Sequence, residues 1–524
     1  MATEKKRTHH DEGTRGALGQ ERSSGLSQRG PDRLHQDGPS GPEGTGASGL
    51  HQDGPSGPGR TGVSRLPENA ARSVGGDRDD RVGGPVTGRQ PGDLCLAPLI
   101  LSAIFLGVST LLLGCQPGSS DQEPGTRPDA REAEAGSPDR EAGPGTRPSQ
   151  PLFREVTDTH LPTEILEGLS MDAGVADMDG DGDLDIVIAN EFRPNILLLN
   201  DGRGTFTDGS DRLPRTERDS EDVGIADFDG DGDLDIVIVS EDDQVNELYL
   251  NDGAGAFADE SSRIPVTGTT NGLVVADLDA DGHPDLLLAN NGQDALLVND
   301  GSGHFRDETA RRLPTSDDVT QDVELGDVDG DGDLDLIVGN EGANALFIND
   351  GRGHFTDESR DRIPLRDTPE ETREVDFGDV DGDGDLDLLF ANVAAFVSEA
   401  DPRNRLLVND GTGRFVDETE ARLPPDSASS FDGDFRDVDG DGDLDILTGN
   451  SEVDLSQGRI ADSPYRAYLN DGEGRFTEAT EAVFGEGITG TGFDLEWGEF
   501  DGDGLEDVYL ASRGTGDRLL FRVR

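Results

Sequence analysis

The sequence predicts an all-β domain, a seven-bladed β-propeller closed by its own N-terminal strand and preceded by a long disordered region. Three observations carry this expectation. A nine-residue aspartate-rich loop occurs seven times at near-regular spacing; each copy sits among short β-branched runs and a glycine turn; and the strand missing from the last copy stands at the start of the repeat region.

The loops come first. DMDGDGDLD begins at Asp177, DFDGDGDLD at Asp227, DLDADGHPD at Asp277, and DVDGDGDLD at Asp327, Asp379 and Asp437, while EFDGDGLED begins at Glu499. Successive starts lie 50, 50, 50, 52, 58 and 62 residues apart, which makes each copy one supersecondary unit. In the second copy VGIAD (223–227) enters the loop and LDIVIVS (234–240) leaves it as a β-branched run. NELYL (246–250) then meets NDGAG, and AFADES (256–261) departs. Asp-Gly followed by a second Gly signals a hairpin, because glycine tolerates the positive φ of a tight turn. The same element starts at Asn200, Asn299, Asn349, Asn409 and Asn470. Four antiparallel strands in a unit of this length make a propeller blade.

The chain ends explain closure. Each NDGxG turn is followed by a strand such as FTDGSDRLP (206–214) or FVDETEARLP (415–424), but the seventh copy stops at LLFRVR (519–524). The domain opens with FREVTDTHLP (153–162), which supplies the missing strand and removes an exposed sheet edge.

Within each loop, alternating carboxylates converge while the glycine at position six permits a sharp turn. Positions one, three, five and nine offer side-chain oxygens, and position seven a backbone carbonyl. The donors are Asp177, Asp179, Asp181 and Asp185; Asp227, Asp229, Asp231 and Asp235; Asp277, Asp279, Asp281 and Asp285; Asp327, Asp329, Asp331 and Asp335; Asp379, Asp381, Asp383 and Asp387; Asp437, Asp439, Asp441 and Asp445; and Glu499, Asp501, Asp503 and Asp507. These hard oxygens suit Ca²⁺, which accepts six to eight of them, better than the strictly octahedral Mg²⁺. Zinc calls for His or Cys, and only His283 intrudes, at the carbonyl position. Two unit charges about 4 Å apart repel by about 4 kcal/mol at an effective dielectric of about 20, so four unneutralised carboxylates would splay a loop. About seven calcium ions are expected, one per loop. An EF-hand is excluded because β-branched runs, not helices, flank the loops.

The DxDxDGxxD and LNDGxGxF elements of 151–524 resemble the FG-GAP/VCBS repeat proteins, which are related in fold to the propeller of integrin α subunits. The resemblance implies a calcium-binding extracellular propeller used in adhesion or ligand recognition. Most of the Phe-Gly and Gly-Ala-Pro dipeptides of integrins are missing, which separates this chain from integrin-like ligands.

Composition frames the rest. Only 32% of the 524 residues are hydrophobic, and the net charge of −68 excludes nucleic acid as a partner. Residues 1–93 are polar and rich in Gly, Pro, Arg and Asp, and read as disordered. Leu94 to Leu113 carry no charge and reach the length needed to span a membrane, and the run ends in LLGC at 112–115. That ending resembles a bacterial lipoprotein signal with Cys115 as the lipidated residue; a transmembrane anchor is the alternative. Either way the expectation is export and anchoring at the cell surface or in the periplasm, with 116–150 as a solvated tether. The only other cysteine, Cys95, lies in the same run, so no disulfide framework holds the repeats.

No nucleophile elbow or phosphate loop is present, and the histidines form no metal or catalytic spacing. The sequence therefore points to a binding module for an extracellular protein or glycan rather than an enzyme. A propeller hydrolase or polysaccharide lyase and a purely structural surface protein are the alternatives. Alternate connections in a blade emerge on opposite faces, so recognition is expected opposite the calcium loops. Two enlarged connections lie there, 393–405 and 451–468, with Phe396, Arg403, Arg405, Arg459, Tyr465 and Arg466 as candidate contacts. Trp497, in a strand-like stretch, is expected in the core.

Overall fold

The computed structural model describes residues 150–523, apart from 164, 167, 242, 243, 367 and 455–458. The low-complexity region, the apolar run with Cys95 and Cys115, and nearly all of the tether lie outside the described residues. Among the described residues no helix is long and apolar enough to cross a membrane.

The described chain is all-β. The first repeat shows the pattern: Ser170–Ala176, Asp185–Arg193, Ile196–Asn200 and Phe206–Asp208 pair antiparallel in sequence order. Six such meanders follow one another, and a further four-stranded sheet forms from Gly492–Gly498, Asp507–Ser512, Arg518–Arg522 and the N-terminal Phe153–Glu155. In that last sheet Phe153 pairs with Arg522 and Glu155 with Leu520, so the strand expected to close the domain does pair with its C-terminus. The first strands of successive units pack side by side in order, and the last, Gly492–Gly498, packs against the first, Ser170–Ala176.

The apolar second strands follow from this arrangement. Residues on a strand alternate between two faces. In Asp235–Ser240, Ile236 and Ile238 pack with Val187 and Leu197 of the unit before, while Val237 and Val239 pack with Leu286 and Leu288 of the unit after. Both faces are buried, so the run is continuously hydrophobic rather than alternating. Seven such clusters each join two neighbouring units. Trp497 is in one of them, as expected, with its indole N–H donated to Asp434 at 2.7 Å.

The fourth strands are shorter than the sequence suggests. AFADES resolves into Phe257–Asp259 and a helical turn at Ser261–Arg263, because Asp259 accepts the N–H of Ser261 at 3.1 Å and bends the chain.

Candidate functional site: the aspartate loops

Each loop joins the first strand of a unit to its second and is held open by its own carboxylates. Asp177 accepts the N–H groups of Gly180, Asp181 and Gly182 at 2.9–3.1 Å, which wraps the backbone around one side chain. Gly180 and Gly182 sit at φ +75° and +98° to allow this. The third loop has Ala280 at φ +60° in place of the first glycine. Position five bends the loop further, as Asp181 accepts the N–H of Asp183 at 3.1 Å. Position nine is anchored on both oxygens: Asp185 takes the N–H of Met178 at 3.1 Å and that of Asn200 at 2.9 Å.

These constraints bring positions one, three and nine together. Oxygens of Asp177, Asp179 and Asp185 lie within 4.8 Å of one another, as do those of Asp227, Asp229 and Asp235, of Asp277, Asp279 and Asp285, and of Asp327, Asp329 and Asp335. Position five is not in these triads. Burial pushes the position-nine carboxyls up, to about 6 at Asp185, Asp235, Asp285 and Asp445 and to about 7 at Asp335, Asp387 and Asp507; backbone N–H donors oppose the rise and neighbouring carboxylates add to it. At position three, one oxygen each of Asp179, Asp229, Asp279, Asp329 and Asp381 is buried without a hydrogen-bond partner. A converging set of hard oxygens with a buried unsatisfied member fits a divalent cation of calcium's size. His283 does not join it, because its ring lies against Gly301 of the adjoining turn, where an added Cβ would meet it at 2.4 Å.

The NDGxG turns sit on the same face as the loops. A Cβ on Gly202 would lie 2.4 Å from Asp183, and one on Gly411 2.5 Å from Asp385. The turn asparagine ties neighbouring units together: Asn251 donates to the carbonyls of Leu234 in its own unit and Met178 in the preceding one, at 3.0 and 2.9 Å. Asn200, Asn299, Asn409 and Asn470 repeat this bridge.

A second set of ties was not anticipated. In four units the arginine before Leu-Pro or Ile-Pro spans position three of its own loop and the turn of the next unit, while Arg263 reaches the turn alone, at the Ser302 carbonyl. Arg312 donates to Asp279 at 2.9 Å and to the carbonyl of Arg352 at 2.7 Å. Arg212, Arg362 and Arg422 do the same with Asp179, Asp329 and Asp381. The signal was present in the repeating R-[LI]-P, but arginine beside a turn reads as surface charge until its partner is known.

The enlarged connections need correction. Arg405 is buried rather than presented, paired with Glu370 at 3.1 Å and Asp417 at 2.8 Å. Tyr465 is fully buried in the core, and Arg466 pairs with Asp426 at 2.8 Å. The connection at 451–468 is mostly a hairpin, Asp445–Asp454 against Arg459–Pro464. In the other, the buried Glu371 accepts the N–H groups of Ala395, Phe396 and Val397 at 2.8–3.0 Å and pins the loop inward. Arg403 pairs with Asp401 and Arg459 with Glu452. Phe396 faces the centre of the domain, under the guanidinium of Arg373 at 5.1 Å.

A family model for the FG-GAP-like repeat matches residues 177–238, 227–288, 277–338, 327–390 and 393–448, just over half of the chain. The chain belongs to the FG-GAP-like repeat family. The first four matches begin at the first residue of a loop and run through the next loop into the strand after it, and the fifth, from 393, ends in the same way past the loop at Asp437. No curated protein matches the sequence. Solved structures that this FG-GAP chain resembles include an Agrocybe aegerita lectin described for specific recognition of non-reducing terminal N-acetylglucosamine, at 19% identity and TM-score 0.37, covering 58% of this chain and 78% of the lectin. The extracellular domain of a putative hybrid two-component system from B. thetaiotaomicron aligns at 13% identity and TM-score 0.43, covering 70% and 39%. An ancestral GH74 enzyme aligns at 10% identity and TM-score 0.42, covering 71% and 46%.

Proposed function

We propose that residues 151–524 form a seven-bladed β-propeller that binds about seven calcium ions and serves, exported and anchored through the segment ending at Cys115, as a cell-surface module for an extracellular protein or glycan. The observation that carries the metal reading is the position-three carboxylate oxygen, buried and unsatisfied, beside two further aspartates in one loop after another. Bound there, a divalent cation would supply charge neutralisation; the loop aspartates would hold it, and the bridging asparagines and arginines would pass the resulting rigidity to neighbouring units. The blade count draws on the seven four-stranded meanders and the cyclic packing of their first strands. The ions act as staples in this account, and recognition is assigned to the opposite face.

Equilibrium dialysis of the full chain against calcium tests the first part, with several ions per chain expected and uptake of one or none contradicting it. Glycan and protein arrays test the second: binding without turnover is expected. Turnover of a bound glycan that disappears in Glu374→Gln, a carboxyl in the central cavity, would replace this reading with a hydrolase or lyase.

A further inference from the structure

Every first strand carries a register shift near its start: between Ser170 and Asp172, Ser220 and Val223, Thr270 and Gly272, Thr320 and Asp322, Thr372 and Glu374, Ser430 and Asp432, and Gly492 and Asp494. A bulge re-aims the side chains beside it. The residue five before each loop is Asp172, Asp222, Gly272, Asp322, Glu374, Asp432 or Asp494, so six of seven units place a carboxylate at one level of the ring. Two residues further on, Glu324, Asp376, Asp434 and Glu496 form a second tier. The ten groups face one another: Glu374 is repelled by Asp322, Asp432, Asp434 and Asp494, and Asp172 by Asp222 and Asp494.

Some of these acids have a structural task. Asp172, Asp222, Asp322 and Asp494 accept a backbone N–H from the adjoining unit's first strand, at Val223, Leu273, Val375 and Ala173, over 2.6–3.1 Å. This satisfies the inner edge of each sheet but consumes one oxygen per group. Asp432, only 3% exposed, keeps an Oδ2 that is buried with no hydrogen-bond partner. So the ring carries more carboxyl oxygen than the fold uses.

Six of the ten, Asp172, Asp222, Asp322, Glu324, Glu374 and Asp494, line a cavity of about 420 Å³ on the side of the enlarged connections. That volume suits a small organic molecule and is far more than one metal ion fills. Its mouth is aromatic: Phe431 stacks on Phe493 at 4.6 Å, and Phe396 stands beside them. The chain's own Arg373 already lies over Phe396 and Phe431, at 5.1 and 5.9 Å, so the mouth accepts a flat cation on its ring faces.

We infer that this central cavity binds an organic cation, an ammonium or guanidinium group on an alkyl stem, with the stem against Phe396, Phe431 and Phe493 and the charged head among Asp172, Glu374 and Asp494. The inference rests on the reading of the domain as a binding module and gives that module a ligand chemistry. A free amine and a basic side chain of another protein both present such a group.

Isothermal titration of the full chain in saturating calcium compares hexylammonium with hexanol, and spermidine with a blocked Gly-Arg-Gly peptide. Hexylammonium is expected to bind at least about tenfold more tightly than hexanol, the worth of a charge-assisted hydrogen bond. The tighter of spermidine and the peptide identifies the source. Glu374→Gln is expected to weaken hexylammonium about tenfold and, in the absence of amine at alkaline pH where the ring acids ionise, to raise the melting temperature by removing a repelled charge; a purely structural carboxylate would lower it. Should that variant not fold, Phe396→Ala in the connecting loop carries the test, with a roughly threefold loss expected from the lost apolar contact with the stem. Equal binding of hexanol, full affinity in both variants, or displacement of hexylammonium by added calcium overturns the inference. Calcium uptake without amine binding sinks it alone; loss of both also removes the reading beneath it.

Discussion

Replacing Arg312 by methionine isolates the ties between units. Its guanidinium is 9% exposed and makes two hydrogen bonds, at 2.9 Å to Asp279 and 2.7 Å to the Arg352 carbonyl. Methionine keeps most of the packing but strands Asp279, 15% exposed, whose other oxygen already lacks a partner. Removing one partner of a buried ion pair costs about 3–5 kcal/mol, whereas a surface pair is worth under about 1 kcal/mol. Arg306→Met supplies that comparison, since Arg306 is 63% exposed beside Glu308. Guanidinium unfolding in chelator, followed by the fluorescence of the single tryptophan, Trp497, reads both. Arg312→Met is expected to lose about 4 kcal/mol, and saturating calcium to shrink the deficit, because a cation neutralises the stranded aspartate. A loss no larger than that of Arg306→Met, or a deficit indifferent to calcium, would refute the reasoning.

Three further predictions use the same unfolding assay. Ala280→Gly is expected to stabilise the domain by about 1 kcal/mol, since alanine at φ +60° carries a strain glycine does not; destabilisation would contradict the conformational argument. Asn409→Asp turns a group that donates to Val328 and Leu386 carbonyls at 2.8 and 3.0 Å into an acceptor facing acceptors, and a loss of about 2–3 kcal/mol is expected; a neutral result would show the bridge is not used. In chelator, stability is expected to fall as pH rises from about 4 to about 8. Burial and the facing carboxylates hold Glu324 at about 7, Asp376 at about 8 and Glu496 at about 8 in the folded state, with Asp222 and Asp434 facing the first, Asp434 and Glu324 the second, and Asp434 with the partly compensating Arg436 the third. The native state therefore binds more protons than the unfolded one across that window, and raising the pH removes its advantage. A stability that rises through the same window would contradict the buried ring.

The loops and NDGxG turns were legible because each residue there has one task that repeats, seven times in the loops and six in the turns, so chance acidity at a single copy is averaged out. The closing strand was legible for a related reason: Phe153 stands where Phe206 and Phe415 stand. The channel acids were not. Asp172 and Glu374 sit among 112 acidic residues, and only the bulge beside them, which no residue type announces, groups them at one level of the ring. Arg405 and Tyr465 misled for the opposite reason: their types favour interfaces, but Glu370 and a core cluster bury them. A side chain's partner across 30 or more residues, as between Arg312 and Asp279, is set by how units pack and cannot be read from local pattern.

The central claim is that calcium in the aspartate loops holds the ring together. Thermal unfolding of the full chain with saturating calcium and with chelator tests it most directly, because ligands that bind only the folded state raise the transition. A large rise in melting temperature with calcium, not matched by magnesium, is predicted. An unchanged melting temperature would contradict the account.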